Sequence, residues 1–158
     1  MKPRKRQPIL FLDVDGVISL FGFEQPPPGR FHWIDGVAHF IAEDSGARIA
    51  RLGERFELVW ATGWEETANE YLPRLLELPF EELPYLTFDE AVFGTAHWKL
   101  ASIDAYAADR PAAWVDDSID EQCEWWAEQR EAPTLLVKTD SATGLLEAHV
   151  EQLLDWAG

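Results

Sequence analysis

The sequence has one cysteine, no long apolar run and few basic residues, and each of these absences excludes a class of protein. A single cysteine, Cys123, allows neither an intramolecular disulfide nor a cysteine-based zinc cluster, which agrees with a reducing compartment. No apolar run approaches the roughly 18 to 20 residues that span a bilayer. The run at residues 9–12 is too short for a secretory signal. We therefore expect a cytoplasmic protein without a membrane partner.

Acidic residues outnumber basic ones by 29 to 13, which gives a formal net charge of -16. Four of the bases stand within the first six residues, so the rest of the chain is more acidic still. Such a surface repels the phosphate backbone of nucleic acid, and we expect no strong nonspecific nucleic-acid binding. We interpret residues 1–8 as a flexible basic tail, and an arm that binds a polyanion is the alternative.

The pattern of apolar residues predicts strands that alternate with helices. The chain of 158 residues has the length of one domain. Short apolar runs predict strands at 9–12, 58–61, 112–115 and 134–138. Helical patterns cover 65–76, 98–108, 119–129 and 145–157, with a further helix between 36 and 53. This order predicts an α/β fold, a Rossmann-like three-layer α/β/α sandwich with a mainly parallel sheet.

Candidate site residues, most of them polar or charged, stand where the predicted strands end or just before the next strand. In chain order they are Asp13, Asp15, Thr62, Gly63, Lys99, Asp116 and Asp117. Parallel strands bring their carboxyl ends to one edge, where such sheets bind ligands. Carboxylates that converge from two strands repel each other unless a cation lies among them. Hard oxygen ligands favour Mg²⁺, so we predict a Mg²⁺ site at this edge.

Four motifs in this order resemble the haloacid dehalogenase (HAD) superfamily of phosphohydrolases. They are Asp13-Val14-Asp15-Gly16-Val17, Thr62, Lys99 and Asp116-Asp117. The runs Leu58-Val59-Trp60-Ala61-Thr62-Gly63-Trp64, His97-Trp98-Lys99 and Trp114-Val115-Asp116-Asp117 are also similar to small bacterial HAD domains associated with RNA repair. The resemblance implies a HAD-like fold and a phosphatase that works through an aspartyl phosphate.

The resemblance also implies a role for each motif residue. Asp13 would attack phosphorus, and Asp15 would protonate the leaving group and then activate water. The phosphate would be bound by Thr62, Gly63 and Lys99. The metal would be held by Asp13, the backbone carbonyl of Asp15, and Asp116 and Asp117. Which of the two motif-four acids is the direct ligand stays open at this point.

The spacing of the motifs leaves little room for a cap domain. Only 46 residues separate Asp15 from Thr62, and 36 separate Thr62 from Lys99. A helix and a strand use most of each interval, which leaves a flap-like loop at 19–33. The chain thus resembles a capless member, which suits a large or exposed phosphorylated substrate, such as a phosphoprotein or a nucleic-acid end. Trp64 and Trp98 flank the motifs and either line the pocket or pack in the core.

Two other interpretations belong to different classes of protein. A signalling receiver domain also clusters acids, threonine and lysine on a parallel sheet. It places its acid pair on the first strand and its lysine last, whereas here Asp116-Asp117 follows Lys99. The second alternative is a catalytically idle HAD-like scaffold that acts as a binding module, and a phosphatase assay separates it from an enzyme.

Overall fold

The computed structural model describes residues 7–88 and 96–158. Most of the tail predicted at 1–8 lies outside the described residues. Its last two residues lie against the sheet: the Pro8 carbonyl accepts a hydrogen bond from the Glu57 amide at 3.0 Å, and the Gln7 carbonyl accepts one from Arg110 at 2.8 Å. Within the described ranges, no helix has the length and apolar character needed to cross a membrane.

Strands and helices alternate along most of the chain. The described strands are β1 (Ile9–Leu12), β2 (Ser19–Leu20), β3 (Gly29–Ile34), β4 (Val37–Ala42), β5 (Glu57–Trp60), β6 (Ala112–Asp116) and β7 (Thr134–Lys138). The described helices are α1 (Ser45–Gly53), α2 (Thr67–Leu75), α3 (Leu100–Ala107), α4 (Glu121–Gln129) and α5 (Glu147–Ala157), with a 3₁₀ helix at His97–Lys99. The strands β5, β1, β6 and β7 form, in this order, a parallel sheet.

Side chains of the parallel sheet point alternately to two apolar layers. On β1, Leu10 and Leu12 face a core built with α1, α2 and α5, while Ile9 and Phe11 face a second core built with α3 and α4. All four side chains are fully buried. A strand buried on both faces reads as a continuous apolar run, which is how the sequence signals it. The structure thus confirms the predicted α/β/α sandwich with a mainly parallel sheet.

Strand bounds match the prediction more closely than helix starts do. The bounds of β1 and β7 are as predicted, β5 is shifted by one residue toward the N-terminus, and β6 ends one residue later than predicted. The helix predicted from residue 119 begins instead at Glu121, because the Asp120 carboxylate accepts a hydrogen bond from the Cys123 amide at 3.1 Å. Asp120 is therefore the N-cap of α4.

The loop predicted at 19–33 is wrong in part, because strands occupy both of its ends. β2, β4 and β3 form an antiparallel sheet in that order, and β3 and β4 make a hairpin. The turn of this hairpin is Asp35-Gly36, and both residues have a positive φ, 51° and 78°. An Asp-Gly pair between two runs of alternating residues is a strong hairpin signal. The described parts of both motif intervals contain no separate cap domain.

Candidate active site

The carboxyl ends of β1, β5 and β6 bring the predicted site residues to one edge. The register pairs Leu12 with Trp60 on one side and with Val115 on the other. Asp13 directly follows β1, and its amide donates to the Val115 carbonyl at 3.1 Å. Asp116 is the last residue of β6, so the two acids are neighbours across the sheet edge.

The Lys99 ammonium lies between the two buried acids. Its Nζ is 2.6 Å from Asp116 Oδ2 and 3.1 Å from Asp13 Oδ1, and it donates to the Ala61 carbonyl at 2.8 Å. Three acceptors match the three N–H donors of an ammonium group. Only 3% of the lysine is exposed. Burial would lower the pKa of Lys99, but the carboxylates of Asp13 and Asp116 raise it above its ordinary value.

Asp13, Asp116 and Asp117 each contribute a carboxylate oxygen to a cluster in which all these atoms lie within 4.8 Å of one another. Burial raises the pKa of Asp13 well above its ordinary value, and the charge of Asp116 adds to the effect against the opposing effect of Lys99. Burial, followed by the charge of Asp116, also raises the pKa of Asp117. Three carboxylates against one ammonium leave two formal negative charges, so this all-oxygen donor set fits a hard divalent cation.

Gly16 lets the Asp13-to-Val17 turn pass close to Asp117. Its φ is 82°, and a Cβ at this position would overlap the Asp117 carboxylate. Thr139, which the sequence analysis missed, donates through Oγ1 to the Gly16 carbonyl at 2.8 Å and is buried. The sequence feature that could have identified Thr139 is its position directly after β7, at the same sheet edge as the other site residues.

Asp15 lies on the exposed side of the site. Its Oδ2 accepts a hydrogen bond from Trp64 Nε1 at 3.1 Å. Thr62 is fully buried, and its Oγ1 accepts from the Trp64 amide at 3.2 Å. This bond lies in the turn before the helix, because α2 begins only at Thr67. Gly63 is exposed next to Thr62.

The two tryptophans that flank the motifs are half-buried. Trp64 packs against the core formed with α1, α2 and α5 and contacts His39 edge-on, with 4.9 Å between the ring centroids. Trp98 lies beside Gly63, where an added Cβ would be 3.8 Å from the indole, and the Lys99 Nζ is 5.3 Å from the Trp98 ring centroid. Substrate contact by either ring stays a prediction.

A parallel α/β sandwich with acids from two strands, a buried lysine and a threonine at one edge has the architecture of a HAD-like domain. A family model described as "HAD domain in Swiss Army Knife RNA repair proteins" matches residues 9–150. The chain therefore belongs to this HAD family. No curated protein gives a significant match.

Replacing Gly16 by alanine should destabilise the protein more than the same change at Gly36. Both glycines have φ near 80°, but a Cβ at Gly36 meets nothing within 4 Å. Gly36→Ala should cost about 1 to 2 kcal/mol of unfolding free energy from backbone strain alone. Gly16→Ala should cost about 1 to 3 kcal/mol more, because Asp117 must move. Urea unfolding in chelator measures both, and equal losses would contradict the close approach of Asp117.

Asp117→Asn should stabilise the metal-free protein at pH 7, because it removes a half-buried charge that Asp116 repels. The native pKa of Asp117 is raised, so the stability gained from its protonated form is lost as the pH rises through that native pKa. The stability that Asp117→Asn gains over the wild type therefore grows as the pH rises through the native pKa. It vanishes below about pH 3.9, where Asp117 is protonated in both the native and the unfolded state. Urea unfolding against pH tests this, with exposed Asp155→Asn as the control. A loss of stability at pH 7 would contradict the prediction.

Proposed function

We propose that the protein is a Mg²⁺-dependent phosphatase of the HAD type that works through an aspartyl phosphate on Asp13. The observation that carries this proposal is the Lys99 ammonium held between Asp13 and Asp116, beside three carboxylate oxygens within 4.8 Å of one another. A buried nucleophile that pairs with a fixed cation suits phosphoryl transfer, since negative charge on the phosphate must approach an acidic protein.

The proposed reaction has two steps. In the first, a bond forms between an Asp13 carboxylate oxygen and phosphorus, the bond from phosphorus to the leaving oxygen breaks, and that oxygen takes a proton from Asp15. In the second, water attacks the phosphorus, a water proton passes to Asp15, and the bond between Asp13 and phosphorus breaks to release phosphate. Asp15 thus serves first as an acid and then as a base.

Thr62, Gly63 and Lys99 would bind the transferring phosphate. Lys99 would neutralise both Asp13 and the phosphoryl oxygens, because its Nζ is already 3.1 Å from Asp13 Oδ1. The side chains of Asp13, Asp116 and Asp117 would hold the cation, with the Asp15 carbonyl as a further ligand by family resemblance. When bound, Mg²⁺ would screen the negative charges of these carboxylates and of the phosphate.

Asp13→Asn should abolish phosphatase turnover and keep the fold. The amide has the shape of the carboxylate but is no nucleophile, so kcat with Mg²⁺ and p-nitrophenyl phosphate should fall about a thousandfold or more. Asp155→Asn, an exposed change on α5, should leave kcat unchanged, and melting curves check folding. Turnover by Asp13→Asn at the wild-type rate would refute the assignment. A folded wild type that hydrolyses no phosphorylated substrate with Mg²⁺ would favour the idle scaffold that binds without catalysis.

We further propose that the substrate is the phosphorylated end of a nucleic acid. The family description names RNA repair proteins. The described parts of the motif intervals contain no separate cap domain, which would suit a substrate too large to be enclosed by one. Trp98 supports a base-bearing substrate, because its half-buried ring lies beside Gly63 and Lys99, where it would stack on a base next to the bound phosphate.

Trp98→Ala should weaken catalysis selectively on an end-phosphorylated oligonucleotide. Loss of one stacked base costs about 1 to 3 kcal/mol, which lowers kcat/KM roughly fivefold to a hundredfold. Turnover of a small alkyl phosphate should change little, since that ester has neither a base nor another flat ring to stack on Trp98. Trp125→Ala removes an exposed indole from α4 and should affect neither substrate. Equal losses on both substrates with a lowered Tm would instead assign Trp98 to packing.

A further inference from the structure

One indole contacts the proposed acid and base of the site. Asp15 is exposed on the turn after β1, where a carboxylate can rotate freely unless a neighbour binds it. Trp64 Nε1 donates to its Oδ2 at 3.1 Å. An indole N–H can only donate, and it can donate to a carboxylate oxygen and, more weakly, to the carbonyl oxygen of a carboxylic acid. The bond can therefore persist in both states that catalysis requires.

Trp64 is held from three sides and can act as a rigid support. Its amide donates to Thr62 Oγ1 at 3.2 Å, which fixes its backbone to a buried residue of the sheet edge. Its ring packs against the core and contacts His39 on β4 edge-on. A ring held in this way keeps its N–H direction, because rotation about the side-chain bonds would break these contacts.

Trp64 and the turn that carries Asp15 are both connected to the antiparallel sheet. On β4, His39 Nδ1 is 2.7 Å from Ser19 Oγ. The Ser19 carbonyl accepts from the Gly16 amide at 2.7 Å, and Ser19 forms a bridge with Asp15. The turn that carries Asp15 and the indole that binds it are thus both fixed to the same sheet.

We propose that Trp64 is a positioning residue for Asp15, an inference that rests on the proposed phosphatase function. The indole binds Oδ2 of Asp15 and leaves Oδ1 free. Oδ1 then serves in both steps: it gives the proton to the leaving group and later takes one from water. Trp64 contributes nothing to the attack by Asp13. Its removal therefore affects only the proton transfers.

Trp64→Phe tests this, because phenylalanine keeps an aromatic ring beside His39 and removes the N–H. With p-nitrophenyl phosphate, whose leaving group needs no proton, formation of the phosphoenzyme should keep its wild-type rate. With an alkyl phosphate, this step should slow roughly 10- to 100-fold, the loss expected for one hydrogen bond to a charged group. Hydrolysis of the phosphoenzyme should slow by a similar factor, so phosphoenzyme accumulates with the aryl ester.

The matched control is Trp126→Phe. Trp126 Nε1 also donates to a carboxylate, Asp104 Oδ1, at 3.0 Å, but on helices α3 and α4. This variant should show no dependence on the leaving group. A double-mutant cycle is the second control: in an Asp15→Asn background, Trp64→Phe should cause no further loss, because the group through which it acts is gone.

Failure of this inference and failure of the proposed function give different results. A wild type without phosphatase activity refutes the function. If the wild type is active, three results refute the positioning role: Trp64→Phe slows both esters equally, it changes neither rate, or it adds its full loss to that of Asp15→Asn.

If Trp64→Phe does not fold, ¹⁵N spectra of Asp15→Ala replace it as the test. One of the eight indole N–H signals should move upfield as it loses its acceptor, and eight unmoved signals would overturn the proposal.

Discussion

The Lys99 ammonium holds together the edge of the sheet at which the site lies. Its Nζ atom contacts the Asp13 carboxylate after β1, the Asp116 carboxylate at the end of β6, and the Ala61 carbonyl after β5. Removing one partner of a buried ion pair typically costs about 3 to 5 kcal/mol, because the remaining charge stays buried. The lysine is therefore needed for the carboxylates to be buried, and its own burial depends on them. This mutual dependence keeps Asp13, the proposed nucleophile, in its place.

The same edge carries an excess of negative charge that does not stabilise the fold. The pKa values of Asp13 and Asp117 are both raised, which means that their ionised forms destabilise the native state at neutral pH without a cation. Proteins commonly accept such a cost at functional sites. The turn at Gly16 adds to it, since this glycine brings its backbone close to Asp117 and has a Thr139 hydroxyl bound to its carbonyl. The cost is explained if the cluster binds a divalent cation and a phosphate.

The sequence was sufficient for the sandwich and for the residues at the sheet edge, because a strand buried on both faces is a continuous apolar run that ends at a polar residue. β1 ending at Asp13 is the clearest case. Contacts between distant parts of the chain were not predictable in this way. The bond from Trp64 to Asp15 depends on how the antiparallel sheet packs, and that sheet was missed in part because the hairpin signal at Asp35-Gly36 was not used. Thr139 was missed because a single threonine after a strand has no pattern of its own.

Chemical trapping tests most directly whether Asp13 carries the phosphoryl group during turnover. Protein mixed with Mg²⁺ and an end-phosphorylated oligonucleotide is quenched during turnover and reduced with borohydride, which converts an aspartyl phosphate into homoserine. Mass spectrometry of the peptides then identifies the modified residue. The account predicts homoserine at Asp13 and no modification without substrate. Phosphate release that proceeds with an unmodified Asp13, or with homoserine at another residue, would contradict it.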